Sequence, residues 1–442
     1  MVIARISDIA RFVGQDVRLQ GWLYNKRSSK KLQFLQVRDG SGIIQAIVSL
    51  EDVGPEMFAV ADALTQESSI IVDGVVREDP RSPIGFELHA KAVKLVGKSV
   101  DYPISPKEHG DAFLMDHRHL WLRSKRQHAI LKIRHTIIRA IRDYFDNNGY
   151  TLVDSPILTP NAVEGTSTLF TTPYFERKAY LTQSGQLYQE AAAMAFGRSY
   201  CFGPTFRAEK SKTRRHLTEF WMVEPEVAYL ELEGLMDLCE DFLCSVVHRV
   251  LEVHEKDLTG ALERDITHLK NVQKPFVRLS YDNAVKEISQ IRDSVTDPEQ
   301  KALLDITWGM DFGSPHETEL TKRYDRPIMC FGYPSEVKAF YMKRDPQNPK
   351  VCRNVDVLAP EGYGEIIGGG QREDDLDTLE RAITHENLPK AAYEWFLDLR
   401  RYGTVPHAGF GLGVERTVAW VCGLHHVRET IPFARTLDRL EP

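Results

Sequence analysis

A basic segment between two predicted strands carries the residues best suited to chemistry. It lies within residues 206–226, and its central loop is rich in lysine and arginine. Arg207 and Arg215 can each grip phosphate oxygens with two parallel hydrogen bonds. Glu209 can accept hydrogen bonds from an exocyclic amine, and Phe220 offers an apolar ring face for stacking. These residue types suit a polyanion that carries a flat base; a solvated loop without a role is the alternative.

Two glycine-rich segments near the end of the sequence indicate further close contacts. Three consecutive glycines, Gly368–Gly370, lie inside a predicted strand, where they favour close approach of a ligand or of another backbone. The segment 411–416, Gly-Leu-Gly-Val-Glu-Arg, leads into a predicted helix over 417–424, an arrangement that favours phosphate binding. It matches neither a Walker loop nor a dinucleotide-binding βαβ unit.

The composition is typical of a soluble globular protein with more than one domain. A length of 442 residues predicts two to three domains. No apolar run approaches the roughly 20 residues of a membrane helix, the first residues lack a secretory pattern, and the six cysteines show no paired spacing. We therefore expect a cytoplasmic protein with no membrane partner. The net charge of −7 does not by itself indicate a nucleic-acid partner, so such a partner would need a local basic patch.

Residues 1–100 are predicted to form a small β-barrel of the OB type. A helix over Glu51–Leu64 separates the third strand from the fourth. The five predicted strands are Val17–Tyr24, Leu32–Val37, Ile43–Leu50, Ser69–Val76 and Gly85–Leu95. Barrels of this type bind single-stranded nucleic acid through a basic groove and stacking aromatic rings. Phe34 and Gln45 lie beside such a basic cluster (26–31), although a core position is the alternative for Phe34.

Residues 101–127 are predicted to be a linker, and residues 128–442 a larger α+β domain with an insertion at about 255–330. A predicted helix over His128–Asn148 leads into a strand interrupted by Pro156, which places that strand at a sheet edge or an interface. The pair could belong to the core or to a two-fold dimer contact. A small-residue loop with one carboxylate, Glu164, is predicted to be a mobile lid.

Three sequence motifs, each weakly diagnostic alone, occur in a fixed order and together resemble those of a known enzyme family. They are the helix and Pro-bearing strand (128–158), the Phe-Arg-x-Glu hairpin (206–226) and the Gly-Leu-Gly-Val-Glu-Arg segment with its helix (411–424). In this order they resemble the three signature motifs of class II aminoacyl-tRNA synthetases. The N-terminal barrel narrows the resemblance to the subclass with the aspartate, asparagine and lysine enzymes, and runs such as 181–187, 202–209 and 215–222 are most similar to the asparaginyl enzymes.

The resemblance implies a fold and a reaction. The fold is α+β, an OB-type barrel joined to an antiparallel sheet flanked by helices. The reaction joins L-asparagine to ATP as an adenylate and transfers it to the 3′ end of tRNA(Asn), with Mg²⁺ as cofactor and a homodimer as the assembly. Arg207 and Arg416 are the implied catalytic residues, and Glu365 and Asp356 the implied metal ligands. The implied ATP-binding residues are Arg207, Glu209, Arg215, His216, Leu217, Phe220, Glu365, Gly413, Glu415 and Arg416.

The resemblance also implies how asparagine is selected. Similar aspartate enzymes place a lysine where Gln189 stands and an aspartate where Glu224 stands, so Glu224 would accept from the asparagine amide and repel a carboxylate. The implied amino-acid site comprises Glu164, Ser184, Gln186, Gln189, Arg207, Glu224, Gly368 and Arg372. The implied anticodon site comprises Phe34, Gln45, Arg27 and Glu87.

Three alternatives stay open beside this interpretation. An aspartyl enzyme, including one that charges both tRNAs, is disfavoured by Gln189 and Glu224. An ATP-dependent asparagine synthetase shares the catalytic core but lacks an anticodon barrel, which residues 1–100 supply. A nucleic-acid-binding module without catalysis would have lost Arg207 or Arg416, and both are present.

Overall fold

The computed structural model describes residues 1–163 and 168–442, which form two compact units, Met1–Asp111 and Ala112–Pro442. The first unit contains six strands and a helix between the fourth and fifth of them. Its elements are β1 (Val2–Ile3), a 3-10 helix (Ile6–Phe12), β2 (Asp16–Ser28), β3 (Leu32–Arg38), β4 (Ile43–Ser49), α1 (Leu50–Asp62), β5 (Ser69–Glu78) and β6 (Phe86–Gly97).

The first unit is a closed five-stranded barrel. The strand order is β2-β3-β4-β6-β5, and β5 pairs back with β2, so the sheet has no open edge among these five strands. Side chains alternate along each strand: Leu35 and Val37 of β3 are fully buried, whereas Phe34 and Gln36 are partly exposed on the other face. The core is built from the inward residues of all five strands. This architecture confirms the predicted OB-type barrel.

The second unit is built around an eight-stranded sheet. The strands of the whole unit are β7 (Thr151–Leu152), β8 (Leu158–Thr159), β9 (Thr171–Tyr174), β10 (Arg177–Leu181), β11 (Arg198–Phe206), β12 (Glu219–Ala228), β13 (Val277–Ser280), β14 (Ile328–Phe331), β15 (Asn354–Ala359), β16 (Gly364–Gln371) and β17 (His407–Gly413). The order in the large sheet is β13-β14-β15-β16-β17-β12-β11-β7, and the pairs from β14 to β11 are antiparallel. Strands β8, β10 and β9 form a separate small sheet.

Helices flank this sheet. They are α2 (Asp111–Asp116), α3 (Arg118–Trp121), α4 (Lys125–Asn147), α5 (Gln186–Phe196), α6 (Leu232–Lys256), α7 (Thr267–Lys270), α8 (Tyr281–Ser294), α9 (Pro298–Leu303), α10 (Ser314–Thr321), α11 (Leu376–His385), α12 (Lys390–Arg401) and α13 (Val414–Cys422). One-turn helices cover Asp257–Ala261, Ser335–Val337 and Val427–Glu429. The α+β class and the antiparallel sheet flanked by helices are confirmed.

Aromatic rings hold α4 and α6 against one face of the large sheet. Phe145 of α4 lies 4.9 Å from Tyr200 of β11 and 4.9 Å from Phe242 of α6, measured between ring centroids. Phe242 lies 5.4 Å from Phe410 of β17. Burying each such ring contributes about 1.5–3 kcal/mol. Because side chains alternate along a strand, the residues on either side of Phe410 face the opposite side of the sheet.

Several boundaries differ from the sequence prediction. The strand predicted over 151–158 is reduced to β7 and β8, since Pro156 between them has no N–H to donate to a ladder. Helix α4 begins three residues earlier than predicted because Ser124 caps it, its Oγ accepting from the backbone N of Gln127 at 3.3 Å. Residues 101–127 contain α2 and α3. The segment 255–330 adds β13 and β14 to the large sheet.

All six cysteines lie in the described part of the chain as buried free thiols. Burial raises the pKa of each of them. Across residues 1–163 and 168–442, no helix combines the length and apolar character that crossing a membrane requires.

Candidate active site

A cavity of about 880 Å³ lies over β12, β16 and β17, on the face of the large sheet opposite α4 and α6. Glycines form much of its floor, and the strands pack closely there. A Cβ on Gly369 would lie 2.7 Å from the carbonyl oxygen of Gly409, and one on Gly411 would collide with Met222. The predicted site residues that line this cavity are Ser184, Gln186, Arg207, Glu209, Arg215, His216, Leu217, Phe220, Glu224, Asp356, Glu365, Gly368, Arg372, Gly413, Glu415 and Arg416.

Two predicted residues stand apart from this set. Glu164 lies outside the described residues. Gln189 is buried beside the cavity but turns away from it: its Nε2 donates to the carbonyl oxygen of Val153 at 2.7 Å and to Ser155 Oγ at 3.1 Å. This arrangement therefore does not favour direct contact between Gln189 and an amino-acid substrate.

One end of the cavity is rich in guanidinium groups. Arg416 Nη1 donates to Glu365 Oε2 at 3.0 Å, and Arg215 Nη1 donates to Glu317 Oε2 at 2.9 Å. Arg207 lines the same cavity, with its guanidinium carbon 5.9 Å from the centre of the Phe220 ring. Three converging guanidinium groups can neutralise the charge of a polyphosphate.

Three carboxylates lie among these cations and repel one another. Burial, reinforced by the charge of Glu365, raises the pKa of Glu317 to about 7. Burial likewise raises the pKa of Asp356 to about 6, although the ion pair with Lys338 at 2.7 Å opposes the shift. Removal from water would raise the pKa of Glu365 as well, but Arg416 and Lys338 outweigh that effect and hold it below its ordinary value. An added cation would relieve this repulsion.

The hairpin end of the cavity holds unpaired polar atoms. Within the described residues, no group forms a hydrogen bond with the buried Glu209 Oε2 or with the buried His216 Nε2. Burial lowers the pKa of His216, which favours its neutral form. Buried polar atoms without partners are costly, so this pair indicates a polar ligand near the half-buried Phe220.

The opposite end of the cavity carries a buried carboxylate surrounded by donors. Glu224 accepts from the hydroxyl of Ser184, from the backbone N of Gly185 at 2.8 Å and from Cys201 Sγ at 3.5 Å. Burial raises the pKa of Glu224, and these donors partly offset the rise. All three neighbours present hydrogens to it, so the carboxylate is held as an acceptor.

Arg372 lines the same cavity as Glu224 and is oriented by Glu226. The Nε of Arg372 donates to Glu226 Oε1 at 3.0 Å, and its Nη2 donates to Oε2 at 3.0 Å. Both side chains are almost fully buried. Glu226 thus occupies one edge of the guanidinium, and the Nη1 edge is left on the cavity side, 3.9 Å from Met342 Sδ.

Glu415 and Leu217 are held by the protein itself. Glu415 pairs with Arg134 of α4 at 2.7 Å and accepts from the backbone N of Trp221 at 3.0 Å. Leu217 is buried. Glu415 therefore ties the start of α13 to α4 and β12, and so fixes the neighbouring Arg416.

The sequence interpretation missed four charged residues. Glu226 lies two positions after Glu224 on β12, so strand alternation places both on one face and could have identified it. Glu190 lies four positions after Gln186 on α5 and shares its face. Glu317 and Lys338 had no such signal, because their partners are remote in the sequence.

The barrel brings together the four residues predicted for an anticodon site. Arg27 of β2 and Phe34 of β3 are directly paired, with the guanidinium 5.4 Å from the ring centre. Gln45 of β4 pairs with Glu87 of β6, and Glu87 contacts His89 Nε2 at 2.7 Å. Phe34 is not part of the barrel core.

Comparisons with known proteins match both units. Residues 111–437 match the family model "tRNA synthetases class II (D, K and N)", and residues 17–96 match "OB-fold nucleic acid binding domain". The chain is 63% identical over 438 residues to an asparagine–tRNA ligase of Sorangium cellulosum, covering 99% of this chain and 98% of that one.

Solved structures give the same result. The asparaginyl-tRNA synthetase of Pyrococcus horikoshii complexed with asparaginyl-adenylate has a TM-score of 0.94 and 44% identity, with complete coverage of both chains. The Entamoeba histolytica asparaginyl-tRNA synthetase in complex with asparaginyl-adenylate has a TM-score of 0.89 and 32% identity, again with complete coverage. These matches favour the predicted enzyme over the three alternatives. The chain belongs to the class II tRNA synthetases of the D, K and N group, and within that group to the asparagine–tRNA ligases.

Proposed function

We propose that this chain activates L-asparagine with ATP and then esterifies tRNA(Asn). In the first step a carboxylate oxygen of asparagine attacks the α-phosphorus, the bond to the bridging oxygen of the β-phosphate breaks, and pyrophosphate leaves. In the second step a hydroxyl of the terminal tRNA ribose attacks the acyl carbon, and AMP leaves. The observation that carries the proposal is the Glu224 carboxylate at the base of the cavity, held there as an acceptor.

The guanidinium cluster and the neighbouring Glu209 and Phe220 divide the binding of ATP. Arg207 holds the α-phosphate and the attacking carboxylate, while Arg416 and Arg215 hold the β- and γ-phosphates. Glu209 accepts from the exocyclic amine of adenine, and Phe220 stacks on the ring. The unpaired Glu209 Oε2 and the guanidinium cluster support this division. Little covalent chemistry is needed from the protein, because alignment and charge neutralisation supply most of the rate.

Mg²⁺ fits the carboxylates at the phosphate end. Asp356 and Glu365 offer oxygen donors of the type that Mg²⁺ prefers, and burial together with the charge of Glu365 raises the pKa of Asp356. Within the described residues no three His, Cys, Asp or Glu side chains form a complete metal site, so phosphate oxygens and water would have to complete the coordination. When bound, the ion would neutralise the charge on the phosphates.

Asparagine selection follows from the charges around its side chain. Glu224 accepts from the amide N–H₂, and the Nη1 edge of Arg372 donates to the amide oxygen. Since Glu226 already neutralises Arg372, an aspartate side chain would meet Glu224 without a compensating cation. A site built around such a polar pairing can reject the near-isosteric competitor strongly.

The test is pyrophosphate exchange into ATP, measured separately with asparagine and aspartate. We expect exchange with asparagine and a value of kcat/KM at least about 10³-fold lower with aspartate. Equal exchange with both would contradict the selection argument. No exchange with either would contradict the enzyme assignment.

The barrel is proposed to bind the anticodon loop, with Phe34 as a stacking platform and Gln45 as a hydrogen-bonding reader beside Arg27 and Glu87. We expect Phe34→Ala to lower tRNA charging about tenfold or more, because stacking on an aromatic ring contributes about 1–3 kcal/mol per base. Exchange without tRNA should be unchanged in the same preparation. An equal loss in both assays would show that Phe34 serves folding.

A homodimer is proposed through α4 and the segment that follows it. Leu152, Ile157 and Leu158 of that segment leave large apolar side chains about 38–45% exposed in the single chain. A row of exposed apolar side chains beside a sheet edge is typical of an interface. The proposal rests on this exposure.

A further inference from the structure

A buried ionic cluster lies beneath the amino-acid end of the cavity and contacts it through Gln186. Glu190 of α5, Arg400 of α12 and His407 of β17 have fully buried side chains. Arg400 Nη2 donates to Glu190 Oε2 at 2.5 Å, and His407 Nε2 lies 2.9 Å from the same oxygen. The other Glu190 oxygen, Oε1, accepts from Gln186 Nε2 at 3.2 Å.

Glu190 is held in its ionised form. Burial would raise the pKa of Glu190, but the charge of Arg400 and the hydrogen bond from His407 outweigh it and lower that pKa. His407 Nδ1 lies 2.8 Å from the carbonyl oxygen of Val405, so both ring nitrogens face acceptors. An ionised carboxylate has no hydrogen to donate, and every neighbour of Glu190 must therefore donate to it.

This requirement fixes the orientation of the Gln186 amide. The N–H₂ group must face Glu190, since the reverse orientation would place the amide oxygen against a carboxylate oxygen. The Gln186 amide oxygen then points away from Glu190. Gln186 lines the cavity near Ser184 and Glu224, so the atom it presents there is an acceptor. A glutamine without such a neighbour could present either atom.

We propose that Glu190 is a positioning residue that makes Gln186 present its amide oxygen to the substrate ammonium group. The inference rests on the proposed function, in which Gln186 binds that ammonium. Glu190 itself does not touch the substrate. It selects one of two orientations of a neighbouring amide, and Arg400 and His407 keep it charged.

The test exchanges the two side chains. In Glu190→Gln, the new amide can donate to the Gln186 oxygen and turn the Gln186 N–H₂ group towards the ammonium. We expect KM for asparagine in pyrophosphate exchange to rise about tenfold or more, with a smaller change in kcat. In the double variant Gln186→Glu with Glu190→Gln, an oxygen again faces the substrate and a donor again lies behind it. KM should return to within about threefold of the wild-type value.

Two further measurements separate this role from a structural one. Succinamate, the asparagine analogue without the amine, should inhibit wild-type and Glu190→Gln enzyme equally, because it has no ammonium to place. Glu240→Gln removes another buried carboxylate, which accepts from the backbone N of Phe276 at 3.0 Å, and should leave KM unchanged.

The outcomes distinguish the inference from the function it rests on. If wild-type enzyme lacks asparagine-dependent exchange, the proposed function fails. If wild-type enzyme is active but Glu190→Gln keeps its KM, or the double variant is no better than the singles, the positioning role fails. Weakened succinamate binding in Glu190→Gln would likewise overturn it in favour of a general loss of structure.

Discussion

Replacing Arg207 by alanine is expected to lower asparagine-dependent pyrophosphate exchange about 10³-fold or more. Arg207 lines the cavity, and its charge acts on both Glu224 and Glu365. It contacts both reacting groups in the proposed mechanism, so its loss removes alignment as well as charge neutralisation in the transition state. Losing one such preorganised donor typically costs 10²–10³ in rate, and a shared contact costs more.

The measurement is steady-state exchange with both substrates varied, and the fall should appear mainly in kcat. Arg207→Lys keeps the charge but not the two parallel donors, so it should recover only part of the loss. Arg249→Ala is the matched control, since this arginine forms an exposed pair with Glu252 on α6. A kcat for Arg207→Ala within tenfold of wild type would contradict the assigned role.

Glu224→Gln is expected to lower the preference for asparagine over aspartate about 10²-fold or more. The glutamine amide can donate to an aspartate carboxylate, whereas Glu224 can only repel it. The ratio of kcat/KM for the two amino acids in pyrophosphate exchange measures the effect. An unchanged ratio would show that the discrimination lies elsewhere.

The same substitution should cost little stability. Burial raises the folded-state pKa of Glu224, so its stabilising contribution is present below the unfolded pKa and is lost as the pH rises through the folded pKa. At neutral pH the charged form is therefore a cost that glutamine avoids. We expect the Tm of Glu224→Gln to equal or exceed that of wild type at pH 7, with the difference shrinking towards pH 5. A Tm lowered by many degrees at pH 7 would indicate instead that the carboxylate is needed for folding.

Much of the fold could be predicted because its local signals agree with its topology. The barrel strands alternate cleanly, and the hairpin of β11 and β12 is bounded by the basic loop that the sequence displays. Arg207 and Arg215 were singled out by residue type, whereas Arg416 was implied only by the resemblance to class II synthetases. The prediction of one strand over 151–158 was wrong around Pro156, which interrupts the hydrogen-bond ladder and leaves only β7 and β8.

The remaining site residues depend on contacts between distant segments. Glu317 meets Arg215 across 102 positions, and no periodicity in a single sequence encodes that pairing. Gln189 was predicted to bind the amino acid, but its contacts in the fold place it elsewhere. Its spacing from Gln186 places both on one helix face, yet the nearby chain at Val153 and Ser155 provides acceptors that turn Gln189 away from the cavity.

The glycine floor restricts how this site could be redesigned for another amino acid. A side chain at Gly409 would collide with the Glu226 carboxylate and with the backbone of Pro225, so this position of β17 cannot supply a new contact. At Gly411 a side chain would collide only with the flexible end of Met222. Any side chain at Gly370 would lie 3.0 Å from the carbonyl oxygen of Arg353. Engineering of specificity is therefore better directed to β12 and α5, where Glu224 and Gln186 lie, than to Gly409 or Gly370. A directed library placed there would sample altered selectivity, whereas one placed at Gly409 or Gly370 would mainly sample misfolding.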